Sequence, residues 1–168
     1  MYKRQVLMHD ADLRRTCGVA AEVWTKRVEA LSAIGAGYRD RFGEAFAAES
    51  IPTLSEAVAY LETVDVLAFV EIKGESIERF GRERVLDAVL PALGPIADRA
   101  VVISFDATIL DDVRGRGAWP IGWCVADYAE ASHTIAGSLQ PEFLLTNYLD
   151  LPDDGSPLWP GEWQWVMY

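Results

Sequence analysis

Residues 66–73 read VLAFVEIK: five apolar side chains in a row, then Glu71, Ile72 and Lys73. A nearly unbroken apolar run of this length is what a parallel strand covered on both faces requires. Side chains alternate across a strand, so Leu67, Phe69, Glu71 and Lys73 share one face and Val66, Ala68, Val70 and Ile72 the other. The second set is wholly apolar and suits packing against helices. The first turns polar only at its C-terminal end, which is where parallel α/β sheets and barrels build their sites. A Glu and a Lys side by side there can hold a cation and an anionic oxygen, or can simply cap the strand as an ion pair.

Runs of the same kind recur along the chain. AVVISF (100–105) and WPIGWCV (119–125) are continuous apolar strands, with QVLM (5–8), EFLLTN (142–147) and EWQWVMY (162–168) as further candidates. Helical patterns lie between them. IPTLSEAVAYLETV (51–64) starts with Thr53 as N-cap and Glu56 three residues on, the capping-box pattern. SIERFGRERVLDAVLPALG (76–94) reads as one helix with Ile77, Phe80, Val85, Val89 and Leu93 on one side, ended by Gly94-Pro95. ATILDDVRG (107–115) and DYAEASHTIAGSL (127–139) are shorter helices. Residues 19–50 read as one or two short helices broken near Gly35 and Gly37, and 148–161 as a loop by their Pro, Gly and Asp content. Strand–helix alternation with buried strands means α/β with a parallel sheet. There is no GxGxxG and no P-loop, which disfavours a nucleotide fold. A TIM-type barrel fits the alternation, but five or six strands are fewer than its eight.

The bulk composition bounds the function. The 168 residues fit one domain and can bury roughly two thirds of the surface of the unfolded chain. With 51% hydrophobic and 24% charged residues the chain reads as globular rather than disordered. A net charge of −11 argues against a nucleic-acid partner. It also means that an anionic substrate needs a bound cation or local Arg and Lys. Cys17 and Cys124 sit in no CxxC motif and are expected as free thiols in a reducing, cytoplasmic setting. The apolar stretch in the basic start MYKRQVLMHD is too short for a signal peptide, and no run reaches the length of a transmembrane helix.

Val6-Leu7-Met8 is expected to deliver His9 to a strand's C-terminal end, next to Asp10. Histidine titrates near neutrality and serves as general acid or base. Arg14 and Arg15 are the cations nearest to it in sequence and read as solvated, and His133 reads as a helix-surface residue. Phe105, Trp123 and Trp165 are candidate pocket walls.

Four segments in order resemble the glycerophosphodiester phosphodiesterase family. HDADLRRTCG (9–18) is similar to its HD-x-x-L-x-R-T-x-G segment, IPTLSEAVAYL (51–61) to its helix start, VEIKGE (70–75) to its E-I-K strand end, and VVISFD (101–106) to its S-F-D strand end. The resemblance implies a TIM barrel with a small insertion, here 11–52, after the first strand present, in one domain over 1–168. It implies metal-dependent hydrolysis of a glycerophosphodiester to glycerol 3-phosphate and an alcohol. His9 would be a catalytic acid–base, Glu71 a ligand to Mg2+ or Ca2+, and Lys73 the phosphate contact. A hard, oxygen-ligated cation would reconcile an acidic protein with an anionic diester. The family's H-R-G and E-x-D segments are not found, and LWPGEWQWVMY (158–168) looks like its seventh strand. The expectation is therefore a partial TIM (β/α) barrel, roughly strands three to seven, lacking the first two strands and the last. Its exposed strand edges are expected to favour self-association. Two alternatives stand beside the hydrolase: a non-catalytic fragment or pseudoenzyme that needs a partner chain, and a lysophospholipase D-like hydrolase of the same fold.

Overall fold

The computed structural model describes residues 5–153 and 155–168. Residues 1–4 of the basic start and Asp154 of the 148–161 loop lie outside the described residues. The chain divides into two compact units, one formed by residues up to 64 together with 87–95, the other by 65–86 together with 96–168.

The first unit is built of short pieces. Helices α1 (Arg14–Cys17), α2 (Val28–Leu31) and α3 (Arg39–Phe42) have four residues each. A buried cluster of Leu13, Leu31 and Ile51 holds α1 and α2, with Val6, Met8, Val19 and Ile34 packed around it. The strand expected over 5–8 does not form. Val6 makes an isolated antiparallel bridge with Thr53, and the Leu7 N–H donates to the Pro52 carbonyl at 2.9 Å. Val6 and Met8 pack half-buried against the cluster while Leu7 is exposed, so the apolar run marks a segment covered on one side rather than a strand. Helix α4 (Leu54–Leu61) starts as its sequence requires: the Glu56 N–H donates to Thr53 Oγ1 at 3.2 Å, and the Thr53 N–H donates to Glu56 Oε2 at 2.7 Å. Leu54 and Val58 are its buried face.

The second unit is a five-stranded parallel sheet in simple sequential order: β1 (Ala68–Glu71), β2 (Ala100–Ser104), β3 (Ile121–Cys124), β4 (Phe143–Thr146) and β5 (Gln164–Met167). Helices α5 (Gly74–Phe80) and α6 (Arg82–Leu93) follow β1, α7 (Ala107–Arg114) follows β2 and α8 (Glu130–Leu139) follows β3. The division between the units falls within α6. The single helix expected over 76–94 is two, because Gly81 takes φ +78° and ends α5; Phe80, placed on the buried side by periodicity, is exposed. Asp106 caps α7 by accepting from the Thr108 N–H at 2.8 Å. Ile109, Leu110 and Val113 are buried on α7, which packs on β2 and β3. Every residue of β2 and β3 is buried, which accounts for their continuous apolar reading.

Register sorts the side chains. Glu71, Ile103, Gly122, Phe143 and Gln164 form one row across the sheet. Ser104, Trp123, Leu144 and Trp165 form a row on the opposite face. In a flat sheet, strands three places apart lie roughly 14 Å apart. Yet the rings of Phe69 on β1 and Phe143 on β4 meet edge to face at 5.0 Å. The sheet therefore curls with the Glu71 face concave, as a barrel wall does. Gly122 makes room for the curl: a Cβ there would lie 2.8 Å from Leu145 Cδ1 and 2.9 Å from Ile103 Cγ2. Five sequential parallel strands and this curl agree with a partial (β/α) barrel, but the five begin at Ala68 rather than at Gln5.

Replacing Gly122 by Ala should lower stability by about 1–3 kcal/mol through overpacking. Thr53→Ala should cost about 1 kcal/mol through loss of the cap. Urea unfolding of each variant beside the wild type measures both.

Candidate active site

Within the sheet unit, the C-terminal end of β1 carries the pair read from the sequence. Glu71 is the last residue of the strand and Lys73 the N-cap of α5. Their side chains are each about a quarter exposed, and Lys73 Nζ stands 2.7 Å from Glu71 Oε2. Beneath them the concave face is apolar, a cluster of Val101, Ile103, Cys124 and Leu145 with Phe143 and Val166 against it. The low polarizability of that floor strengthens the charge–charge attraction above it.

Two residues on this face were not read from the sequence as site residues. Cys124 is buried, and its thiol is pushed up to about 12 by desolvation and by the negative charge of Glu71. Tyr168 continues the alternation of Gln164 and Val166 one step past β5. Its N–H donates to the Thr146 carbonyl at 3.1 Å, and its carbonyl accepts from the Tyr148 N–H at 3.2 Å. Tyr168 is more than half exposed, yet partial desolvation raises its phenol above the usual range, aided by the acidic groups Cys124, Glu71 and Asp150. It is thus a neutral hydroxyl on the face that holds Glu71. Period-two counting back from Tyr168 through QWVMY is the signal that would have found it.

The three candidate wall residues separate. Phe105 continues the alternation of Val101 and Ile103 and is half exposed. Trp123 and Trp165 turn to the opposite face. There Trp123 Nε1 donates to the Phe105 carbonyl at 3.1 Å, fixing the chain just past β2. Trp165 joins an aromatic group with Tyr128 and Trp159. His133 also belongs to that group. It is half buried rather than a free surface residue, and its ring stacks on Trp159 at 5.1 Å. Ser104 and Asp106 of the SFD segment play a structural part. The Ser104 hydroxyl donates to the Ile72 carbonyl at 2.8 Å and accepts from the Asp106 N–H at 3.1 Å. Burial would raise the Asp106 carboxyl, but hydrogen bonds from Thr108 and Ile109 and the charge of Arg82 outweigh it and hold the group low.

His9 and Asp10 lie in the other unit. His9 Nδ1 is 2.7 Å from Asp10 Oδ1. Arg15, expected to be solvated, instead grips the same carboxylate, with Nε 2.6 Å from Oδ2 and Nη2 2.9 Å from Oδ1. The Arg15 hydrogen bonds first, and the His9 contact second, hold the Asp10 carboxyl well below the usual range.

The match to known proteins decides the family. Residues 3–147 match the model of the glycerophosphoryl diester phosphodiesterase family. The chain belongs to that family. It is 31% identical over 109 residues to a glycerophosphodiester phosphodiesterase of Caldanaerobacter subterraneus subsp. tengcongensis, a match covering 65% of this chain and 44% of that protein. Its fold is similar to that of an Oleispira antarctica phosphodiesterase solved in complex with the product sn-glycerol-3-phosphate. The TM-score is 0.73 at 20% identity, over 88% of this chain and 59% of that one. A candidate glycerophosphoryl diester phosphodiesterase of Silicibacter pomeroyi gives a TM-score of 0.68 at 18% identity, over 87% and 61%. The chain thus spans roughly half of the curated relative's length and about three fifths of these solved chains.

The divalent cation expected of the family can be tested against the donor set. Magnesium and calcium take about six or more oxygen ligands. Among the described residues no three His, Cys, Asp or Glu side chains gather where they could hold a metal. Glu71 offers a single carboxylate, and Lys73 already sits on it. The described residues alone do not fit such an ion. Nor, among them, is any helix long and apolar enough to cross a membrane.

The two thiols are free, Cys124 buried and Cys17 half buried. Near pH 8 an alkylating reagent should label Cys17 in the native chain and spare Cys124, which stays protonated until the pH nears its raised value. Because unfolding returns Cys124 to about 9 from about 12, stability should be intact below pH 9 and decline as the pH climbs through that window. Mass spectrometry of the labelled chain and urea titrations at two alkaline pH values check these outcomes.

Proposed function

We propose that this chain carries part of the active site of a hydrolase that cleaves a glycerophosphodiester to glycerol 3-phosphate and an alcohol. The observation that carries the reading is the Glu71–Lys73 pair at the C-terminal end of β1, on the concave face of a barrel-like sheet in a member of this family. The product bound in the Oleispira relative, sn-glycerol-3-phosphate, supports the substrate class.

Each residue has a role that its chemistry suits. The Lys73 ammonium offsets the charge of the diester oxygens. His9 exchanges the proton: as water adds to phosphorus and the P–O bond to the leaving alcohol breaks, a protonated His9 gives its proton to the departing oxygen and is reprotonated by the proton that the attacking water releases. That role rests on the resemblance of HDADLRRTCG. Glu71 would offer one carboxylate of the several oxygens that Mg2+ or Ca2+ requires, the others coming from outside the described residues. Phe105 lines the substrate's path at the end of β2. A cytoplasmic location is part of the reading and is supported by the two free thiols. Self-association belongs to it as well. The outer strands β1 and β5 each pair on one side in the five-strand ladder, and Val66, Leu67 and Phe69 at β1 are 45, 49 and 36% exposed. Sedimentation velocity over a range of concentrations should show a rising mean mass, and a constant monomer would remove that part.

A second reading is favoured by one observation: the described residues assemble no cation site of their own. On that reading the chain turns nothing over by itself. One experiment separates the two. Release of glycerol 3-phosphate from a glycerophosphodiester is measured with Mg2+, with Ca2+ and with chelator, for wild type and Glu71→Gln. The hydrolase reading expects metal-dependent release, reduced about 100-fold or more in Glu71→Gln and about 10-fold or more in Lys73→Met. No release with either metal would leave the non-catalytic reading.

A further inference from the structure

We propose that Asp10 and Arg15 are positioning residues that fix which nitrogen of His9 carries the proton; the functional meaning of this rests on the reading of His9 as a proton carrier. The His9 side chain is 76% exposed, so packing does not orient its ring. Its polar anchor is Asp10, with Nδ1 2.7 Å from Oδ1. An ionised carboxylate only accepts hydrogen bonds, so the proton in that contact belongs to Nδ1. That choice reverses the ordinary preference of a neutral imidazole, which carries its proton on Nε2. It leaves the Nε2 lone pair directed away from Asp10.

A lone surface aspartate would hold a histidine poorly, since its carboxylate can rotate or take a proton. Arg15 removes both freedoms. Its Nε at 2.6 Å and Nη2 at 2.9 Å bind the two carboxylate oxygens as a fork, the geometry for which arginine is suited and lysine is not. The fork is supported in turn. The Arg15 guanidinium lies over the Tyr38 ring, 5.5 Å from its centre. Tyr38 holds a left-handed backbone, φ +47°, uncommon for a residue with a bulky side chain. Its N–H donates to the Thr16 carbonyl at 2.9 Å, pinning it to the chain beside Arg15. A strained residue kept where it braces a charge network is a reason to look for function there. The resulting order is Tyr38 under Arg15, Arg15 on Asp10, Asp10 on His9. Through it Nε2 can accept a proton as base and return it as acid, while Nδ1 never lets go of its own.

The test reads the tautomer and does not depend on turnover. The chain has two histidines, His9 and His133, so the imidazole nitrogens of a 15N-labelled sample give two sets of signals, assigned with His133→Gln. In alkaline solution wild-type His9 is expected as the Nδ1–H tautomer. Asp10→Ala should return it to mainly Nε2–H. Arg15→Met should lose most of the Nδ1–H excess, and Arg15→Lys should restore part of it. If Arg15→Met fails to fold, as judged by circular dichroism, Arg15→Lys against wild type still reads the fork. An Nε2–H tautomer in the wild type, or an unchanged Nδ1–H tautomer in the folded Arg15 variants, would overturn the proposal. The two readings fail separately. If hydrolysis is observed and survives His9→Gln, His9 is not the proton carrier, although the tautomer result stands.

Discussion

The parallel hydrogen-bond ladder from β1 to β5 is the constraint on which the sheet unit depends. It fixes register, and register decides which side chains meet. Glu71 shares a face with Ile103 and Phe143 because their backbones are paired in one row across four strands. A slip of one residue would send Glu71 into the helix-covered side, where a carboxylate would be buried among apolar groups at a cost of several kcal/mol. The curl of the ladder then does the rest. It brings Phe69 and Phe143 into contact, closes the apolar floor, and leaves charged groups only at the strand ends.

The two sets of chemistry-bearing residues are organised differently. Glu71 and Lys73 are placed by a strand and a helix start, elements whose positions the sheet determines. His9 and Asp10 are placed by a chain of side chains, Tyr38 to Arg15 to Asp10, among the four-residue helices of the first unit. The first arrangement is held by the cooperative packing of the whole sheet. The second is held by charge-assisted hydrogen bonds at a partly exposed carboxylate, so it is more open to salt and to single substitutions.

Much of the sheet was legible in the sequence because buried parallel strands leave an unmistakable mark. VVIS, IGWC and FLLT are apolar on both faces, and the structure buries all of them but Phe143, which is half-buried. The Thr53–Glu56 capping box was equally plain, since both partners lie within four residues. Other features resist such reading. VLM at 6–8 has the composition of a strand, but the contacts that decide its fate come from Pro52 and Thr53, more than forty residues away. Phe80 fitted a helical stripe until Gly81, free to take a positive φ, broke the helix. Arg15 looked like a solvated charge because the fork it makes with Asp10 depends on the bends at 11 and 13 and on the start of α1. Trp123 and Trp165 were recognisable as strand residues, yet which face they take follows from parity relative to Glu71, a count made reliable only by the strand register.

The aromatic group around Trp159 has a practical side. Of the six tryptophans, Trp24 lies in the first unit, and Trp119, Trp123, Trp159, Trp163 and Trp165 lie in the second. Intrinsic fluorescence of this chain is therefore a nearly private signal of the sheet unit, while far-ultraviolet dichroism sums both. The protein carries its own label for asking whether its two units melt together or one after the other.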